Sequence, residues 1–157
     1  MKNNIKEIDQ FISYCFEGNT DKVLDMLDNN IFIHANVVGS NGSTPLIAAI
    51  NGESLEVVES LITWVANVNN GNWTPLHEIV DLSIDSMIQN NKSEIPKTLI
   101  NIMRELIDSG ADLNKKNKEG ESPLELIKSY STDETSFNFY KDCFRVVVPD
   151  IDDLIKY

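Results

Sequence analysis

Apolar residues recur at intervals of three and four along most of the chain, the spacing of amphipathic helices. Ile5, Ile8, Phe11, Ile12, Cys15 and Phe16 make the first such face, and Gly18-Asn19 ends it. Thr20-Asp21 opens a second helix with Val23, Leu24, Met26 and Leu27 on its inner side, closed by Asn29-Asn30. Residues 31–43 are extended and polar-punctuated, with Gly39 and Gly42. A short helix then covers Leu46 to Ile50, and Asn51-Gly52 breaks it. Ser54 caps the next helix, whose face is Leu55, Val57, Val58, Leu61 and Ile62. A third helix carries Leu76, Ile79, Val80, Leu82 and Ile84 and runs on toward Ile88. After the polar stretch 89–93, Pro96 fits the first turn of a helix with Leu99, Ile100, Ile102, Met103, Leu106 and Ile107 inside. Ser109-Gly110 ends it, with Gly110 suited to a left-handed cap. The last pair places Leu124, Leu126 and Ile127 on one helix and a polar turn over 131–136. Phe139, Tyr140, Cys143, Phe144 and Val147 then lie on a second helix spanning about 137–147. The tail from Leu154 to Tyr157 is expected to pack loosely.

Three of these helix starts share one local sequence: Ser43-Thr44-Pro45-Leu46, Trp73-Thr74-Pro75-Leu76-His77 and Glu121-Ser122-Pro123-Leu124. The hydroxyl can accept a backbone N–H left unpaired at the helix N-terminus. Proline's fixed φ suits the first helical position. Three copies in a short chain are an internal repeat, which implies a stacked helical scaffold.

The ordered elements resemble the ankyrin repeat. The residues that carry the likeness are Gly42-Ser43-Thr44-Pro45-Leu46, Leu55-Glu56-Val57-Val58, Trp73 to His77, Gly110-Ala111-Asp112-Leu113-Asn114 and Gly120 to Leu124. Closing elements appear as Ala66-Asn67-Val68-Asn69 and, degraded, as Pro149-Asp150-Ile151-Asp152. The resemblance implies an all-α solenoid of stacked helix-turn-helix units with hairpin-like fingers. It would be one domain over 1–157, with units at roughly 5–36, 37–69, 70–114 and 115–152. Thr44 to Asn69 matches the family offset. Thr74 to Asn114 is about 15 residues longer and Ser122 to Asp152 about five longer, so unit three carries an insertion after Val80. That insertion is expected to lengthen both helices of its unit. Thr44 to Thr74 is 30 residues against the usual 33 or so, leaving a short finger. Only unit three keeps the family histidine, His77; Ile47 and Glu125 stand at its place in units two and four. The finger–helix junctions should therefore be unequally stiff. The first unit lacks the motif and has the polar start of a capping repeat.

Charge narrows the functional classes. The 157-residue chain carries a formal charge of −12, which argues against nucleic-acid binding, since that requires a basic footprint. It favours a basic protein partner and a monomer, or else reflects only a solvated acidic surface. No apolar leader and no run long enough to span a membrane is present, so a cytoplasmic location is expected. Cys15 and Cys143, each in an apolar helical context, read as buried reduced thiols rather than a disulfide framework.

No catalytic motif is present: there is no P-loop, GxGxxG, GxSxG or HExxH. His34 has no neighbour at metal spacing, and His77 fits the family's structural role. The acidic runs Asp133-Glu134 and Asp150 to Asp153 lack calcium-loop spacing. No enzyme activity, metal or cofactor is expected. Recognition remains. In the family, partners meet the finger tips and the concave face of the first helix. By position these are Ser40, Asn41, Ser43 and Asn51 in unit two, and Asn70, Asn72, Trp73, Glu78 and Asp81 in unit three. Unit four contributes Lys118, Glu119, Glu121 and Ser129. Trp73 precedes the cap threonine at a position the family leaves exposed, and tryptophan is enriched in binding hot spots. It could instead pack over the shortened finger. Trp64, at a helix end, reads as packing. The expected function is a non-catalytic protein–protein interaction module. The alternative is an immunity protein that occludes the basic active site of a cognate bacterial toxin by charge mimicry.

If the repeat reading is right, Thr74→Ala costs on the order of 1 kcal/mol through the lost cap. Leu76→Ala costs more, about 2–5 kcal/mol, as a core truncation. Denaturant melts of the two variants check this; near-zero losses at both sites contradict a capped and buried helix start.

Overall fold

The computed structural model describes residues 2–157. Their regular structure is all helical, with no strand among the described residues. Two compact units result, one ending at Val68 and the other running from Asn69 to Tyr157.

The first unit contains α1 (Lys2–Glu17), α2 (Thr20–Asn29), α3 (Pro45–Asn51) and α4 (Leu55–Thr63). α1 packs on α3 and α2 on α4, so two helical hairpins lie layer on layer. Neither hairpin could bury its apolar stripe alone. Together they enclose Phe11, Cys15, Val23, Ile50, Val57, Val58 and Leu61 completely. The α1–α3 approach is close: a Cβ on Gly52 would lie 1.9 Å from the Phe16 carbonyl oxygen. Backbone therefore fills the space next to the end of α1, and the Phe16 ring, expected inside, is exposed. The Asn19 side chain, not Thr20, caps α2 by accepting the Lys22 N–H at 3.2 Å. Thr44 and Ser54 cap α3 and α4 as expected.

One asparagine ties the ends of the two hairpins. Asn36 donates its amide to the Val65 carbonyl at 2.9 Å and accepts the Asn67 N–H at 2.6 Å. In the second unit Asn69 does the same, donating to the Gly110 carbonyl and accepting the Asp112 N–H. Gly110 takes φ 92° there; Val65 adopts φ 65° in the corresponding loop of the first unit, with a β-branched side chain that is 79% exposed. A valine in the left-handed region is strained.

The second unit contains α5 (Pro75–Gln89), α6 (Lys97–Asp108) and a 3-10 turn (Pro123–Glu125). That turn runs into α7 (Leu126–Tyr130), followed by α8 (Glu134–Phe144) and α9 (Ile151–Leu154). The insertion shows as length: α5 has 15 residues and α6 has 12, against 7 and 9 in α3 and α4. On α5 the buried positions beyond Val80 are Ser83, Ile84 and Met87; Leu82 is only half-buried. Ser83 enters the core because its hydroxyl bonds the Ile79 carbonyl of its own helix at 2.6 Å, so no polar atom is left unpaired.

Three expectations for the C-terminal part need correction. α8 begins at Glu134, inside the region read as a turn, because Asp133 and Ser136 form a reciprocal capping box. Its buried stripe is Phe137 and Phe144, continued by Val148, while Phe139 is 44% exposed and Cys143 half-buried. The degraded closing motif is a helix, α9, and the tail is not loose. Ile151 and Ile155 are buried, and the Tyr157 ring lies 5.4 Å from that of Phe137. Asp152 is gripped by Arg145 at 2.6 Å and Lys141 at 2.8 Å.

At the start of α5 the Thr74 hydroxyl accepts the His77 N–H, and His77 Nδ1 accepts the Thr74 N–H at 3.2 Å. An N–H can only meet an unprotonated Nδ1, so the ring proton sits on Nε2. From there it is donated to the Glu121 carbonyl, 3.0 Å away. His77 is fully buried with both nitrogens used. In the fourth repeat Glu125 replaces the histidine as acceptor, taking the Ser122 N–H at 2.6 Å. Its carboxyl is held below its usual range, chiefly by Lys116 and then by that N–H.

This geometry has two consequences for stability. Thr74→Ala and His77→Ala are expected to be non-additive, with a coupling of about 1–2 kcal/mol, because they share one set of bonds. Denaturant melts of both single variants and the double variant measure it. Val65→Gly is expected to raise the denaturant midpoint, stabilising by about 1 kcal/mol through release of the left-handed strain; an unchanged or lower midpoint contradicts it.

Candidate functional site

Of the residues singled out as a partner-binding surface, one group lies in each unit. In the first, Ser40, Asn41, Ser43 and Asn51 line a groove of about 730 Å³. Its other wall, which sequence reasoning missed, comes from α1: Asp9, Ile12, Ser13 and the exposed Phe16. The finger that bears the serines is a tight turn. The Gly39 N–H meets the Ser43 carbonyl at 2.9 Å, and the Asn41 side chain accepts the Ser43 N–H at 3.0 Å. Asp9 anchors the finger from α1 by accepting the Ser40 N–H at 2.8 Å. A side chain at Gly39 would press within 2.8 Å of Ile12 and 3.0 Å of Asp9, so glycine is what permits that approach.

In the second unit α5, α7 and the finger 117–121 bring the rest together. Trp73 is 39% exposed, yet it is held at two points. Its ring lies 5.3 Å from that of His77, and its indole N–H donates to Glu78 Oε2 at 2.5 Å. It thus packs on the first turn of α5 and also offers a face to solvent. One turn along α5, Asp81 accepts the Tyr130 hydroxyl at 2.6 Å, with Asp85 on the same hydroxyl at 3.2 Å. Burial, and then the two carboxylates, push the phenol above its ordinary range, so Tyr130 stays a donor. Glu121 takes the Ser129 hydroxyl and the Asn117 amide on its carboxylate. Lys118, Glu119, Asn70 and Asn72 are exposed around this core.

Asn117, Tyr130 and Asp85 were not anticipated. Asn117 organises the finger: its side-chain oxygen accepts the N–H groups of Glu119 and Glu121, at 3.0 and 2.8 Å. The available signal was the Asn-x-x-Gly spacing to Gly120, which adopts φ 82° and makes the turn a compact one. The arrangement presents a rigid aromatic face edged by Glu78, Asp81, Asp85 and Glu121, with hydroxyls at its margin.

Cys15 is fully buried, and burial pushes its thiol up to about 12, a range in which it is not nucleophilic. No three His, Cys, Asp or Glu residues are placed to hold a metal ion among the described residues. No helix among them is long and apolar enough to cross a membrane.

The family model for ankyrin repeats, in three copies, matches residues 11–117. No curated protein matches the chain. The matched span takes in the first three repeats, including the capped helix starts at Thr44 and Thr74, and stops short of Ser122. More than half of the sequence is thereby accounted for, and the chain belongs to the ankyrin-repeat family.

Proposed function

We propose that this chain is a non-catalytic binding protein. Its one protein partner has a basic surface and seats on the face built by α5, α7 and the finger 117–121. Ankyrin repeats are generally protein–protein interaction modules. The observation that carries the finer reading is Trp73: an exposed indole held by His77 and Glu78, on the helix that also carries Asp81 and Asp85. A rigid aromatic loses little entropy on binding and supplies a large contact area. The surrounding acids would steer a basic partner and fix its orientation.

The test uses the partner captured by the wild-type chain from its source cells, purified and titrated against variants. Trp73→Ala is expected to weaken binding by about 30-fold or more, the loss typical of a hot spot of about 2 kcal/mol. Trp64→Ala, at 40% exposure an equally accessible tryptophan elsewhere, is expected to leave it unchanged. Raising the salt concentration should weaken the complex, because exposed charges are screened. Equal affinity of wild type and Trp73→Ala, with both folded by thermal melt, overturns the assignment.

A further inference from the structure

The insertion creates a second surface that the acidic face does not use. Between the start of α6 and the exposed side of α8 runs an apolar groove of about 900 Å³. Its floor is Ile95, Pro96 and Ile100. Phe139 and Val146, 44% and 56% exposed, stand along its α8 side. Phe139 also lines the adjoining hollow toward Ile88 at the end of α5, half of whose surface is exposed. Two large apolar side chains left open along the groove, with Ile88 open in the adjoining hollow, form a patch of the kind that marks an interaction site.

The charges around the groove reverse the sign of the chain. Lys92, Lys97 and Arg104 line it, against Glu94 and Asp142. Asp142 is also paired with Arg145 at 2.9 Å, so three cations face two carboxylates, one of them already partnered, and the lining is net basic. Neither lysine has a carboxylate within ion-pair distance among the described residues. Arg104 spends one N–H on the Val146 carbonyl at 3.3 Å, which orients the guanidinium at the groove edge and leaves the rest of its fork free. In a chain of net charge −12, a basic rim on an apolar channel is a local exception.

We propose that this groove docks an acidic segment of another protein, with apolar side chains seated on Ile95, Ile100 and Phe139 and carboxylates meeting Lys97, Lys92 and Arg104. The opposite sign to the Trp73 face makes it a separate site for a different kind of ligand. The apolar floor supplies affinity and the cations select acidic over basic segments, as in grooves that take an amphipathic peptide. A second copy of this chain is disfavoured by the repulsion between two strongly acidic molecules.

A random peptide library displayed on phage, panned against the full chain, tests the proposal. Enriched peptides are expected to combine aromatic or aliphatic anchors with Asp or Glu. Their synthetic versions should lose about tenfold or more in affinity for Lys97→Glu and for Phe139→Ser, both exposed positions, while binding Trp73→Ala as they bind wild type. That last arm separates this site from the proposed partner face. The proposal is overturned if no peptide is enriched, if the enriched peptides are basic, or if their binding ignores both groove substitutions. It is equally overturned if sedimentation shows a wild-type dimer that Lys97→Glu or Phe139→Ser dissolves, since the occupant is then a second copy.

Discussion

The second unit depends on one imidazole. His77 cannot be reached by solvent, so each of its nitrogens must find a partner inside the protein, and each finds a different kind. Nδ1 closes the helix start at Thr74; Nε2 holds the carbonyl of Glu121, 44 residues away. A local cap thereby becomes a long-range tie between α5 and the finger that leads into α7. The surface inherits that rigidity. Trp73 lies against the same ring, and Glu121, fixed by its backbone, directs its carboxylate to Ser129 and Asn117. A side chain with only one polar atom could not serve both ends.

The other repeats show what the histidine replaces. Where Ile47 stands in its place, the cap threonine keeps only its bond to the Ile47 N–H, at 3.4 Å. The finger before it is anchored from outside the repeat, by Asp9 of α1. Where Glu125 stands, a carboxylate closes the local cap but does not reach a distant carbonyl. It accepts the Ser122 N–H and pairs with Lys116, just ahead of the finger. Each repeat thus secures its finger, but through different chemistry, so the three junctions do not share one response to a change of conditions.

Much of the architecture was legible because helix starts have local causes. A hydroxyl followed by proline fixes both the cap and the first φ, and Pro45, Pro75 and Pro123 all stand at the first turn. The unequal junctions were visible too, from His77 against Ile47. The role of Glu125 was missed although Ser122-x-x-Glu125 is a capping-box spacing. In α8, periodicity was ambiguous. Phe139, Cys143 and Val147 recur at helical spacing, and so do Phe137, Phe144 and Val148; only packing decides which stripe faces in. Asn36 and Asn69 are 33 residues apart and make equivalent bonds, yet asparagine in a polar stretch reads as punctuation rather than as a staple. For the candidate surface, sequence position identified Trp73, Glu78, Asp81, Glu121 and Ser129, which the fold does bring to one region. Asn117 carried a local signal in its spacing to Gly120, but position along the motif could not supply Tyr130 or the α1 wall of the first groove, since those arrive through packing from elsewhere in the chain.

Net charge hid the remaining contrast. A value of −12 describes the sum, and a partner meets only the charges within about a Debye length of its own contact. On the α5–α7 face those are Glu78, Asp81, Asp85 and Glu121, with Lys118 at the margin; at the start of α6 they are Lys92, Lys97 and Arg104 against Glu94 and Asp142. The insertion is what separates them. By lengthening α5 and α6 it carries Ile88, Lys92 and Ile95 beyond the first turns that hold the Trp73 face. Beside it, Phe137 and Phe144 of α8 are buried while Phe139 stays open. An insertion that only lengthened two helices would be expected to bury its added apolar residues among themselves, as Ile84 and Met87 are buried. It leaves instead an open channel with a net basic rim, at a cost in exposed apolar area that burial against a ligand would recover.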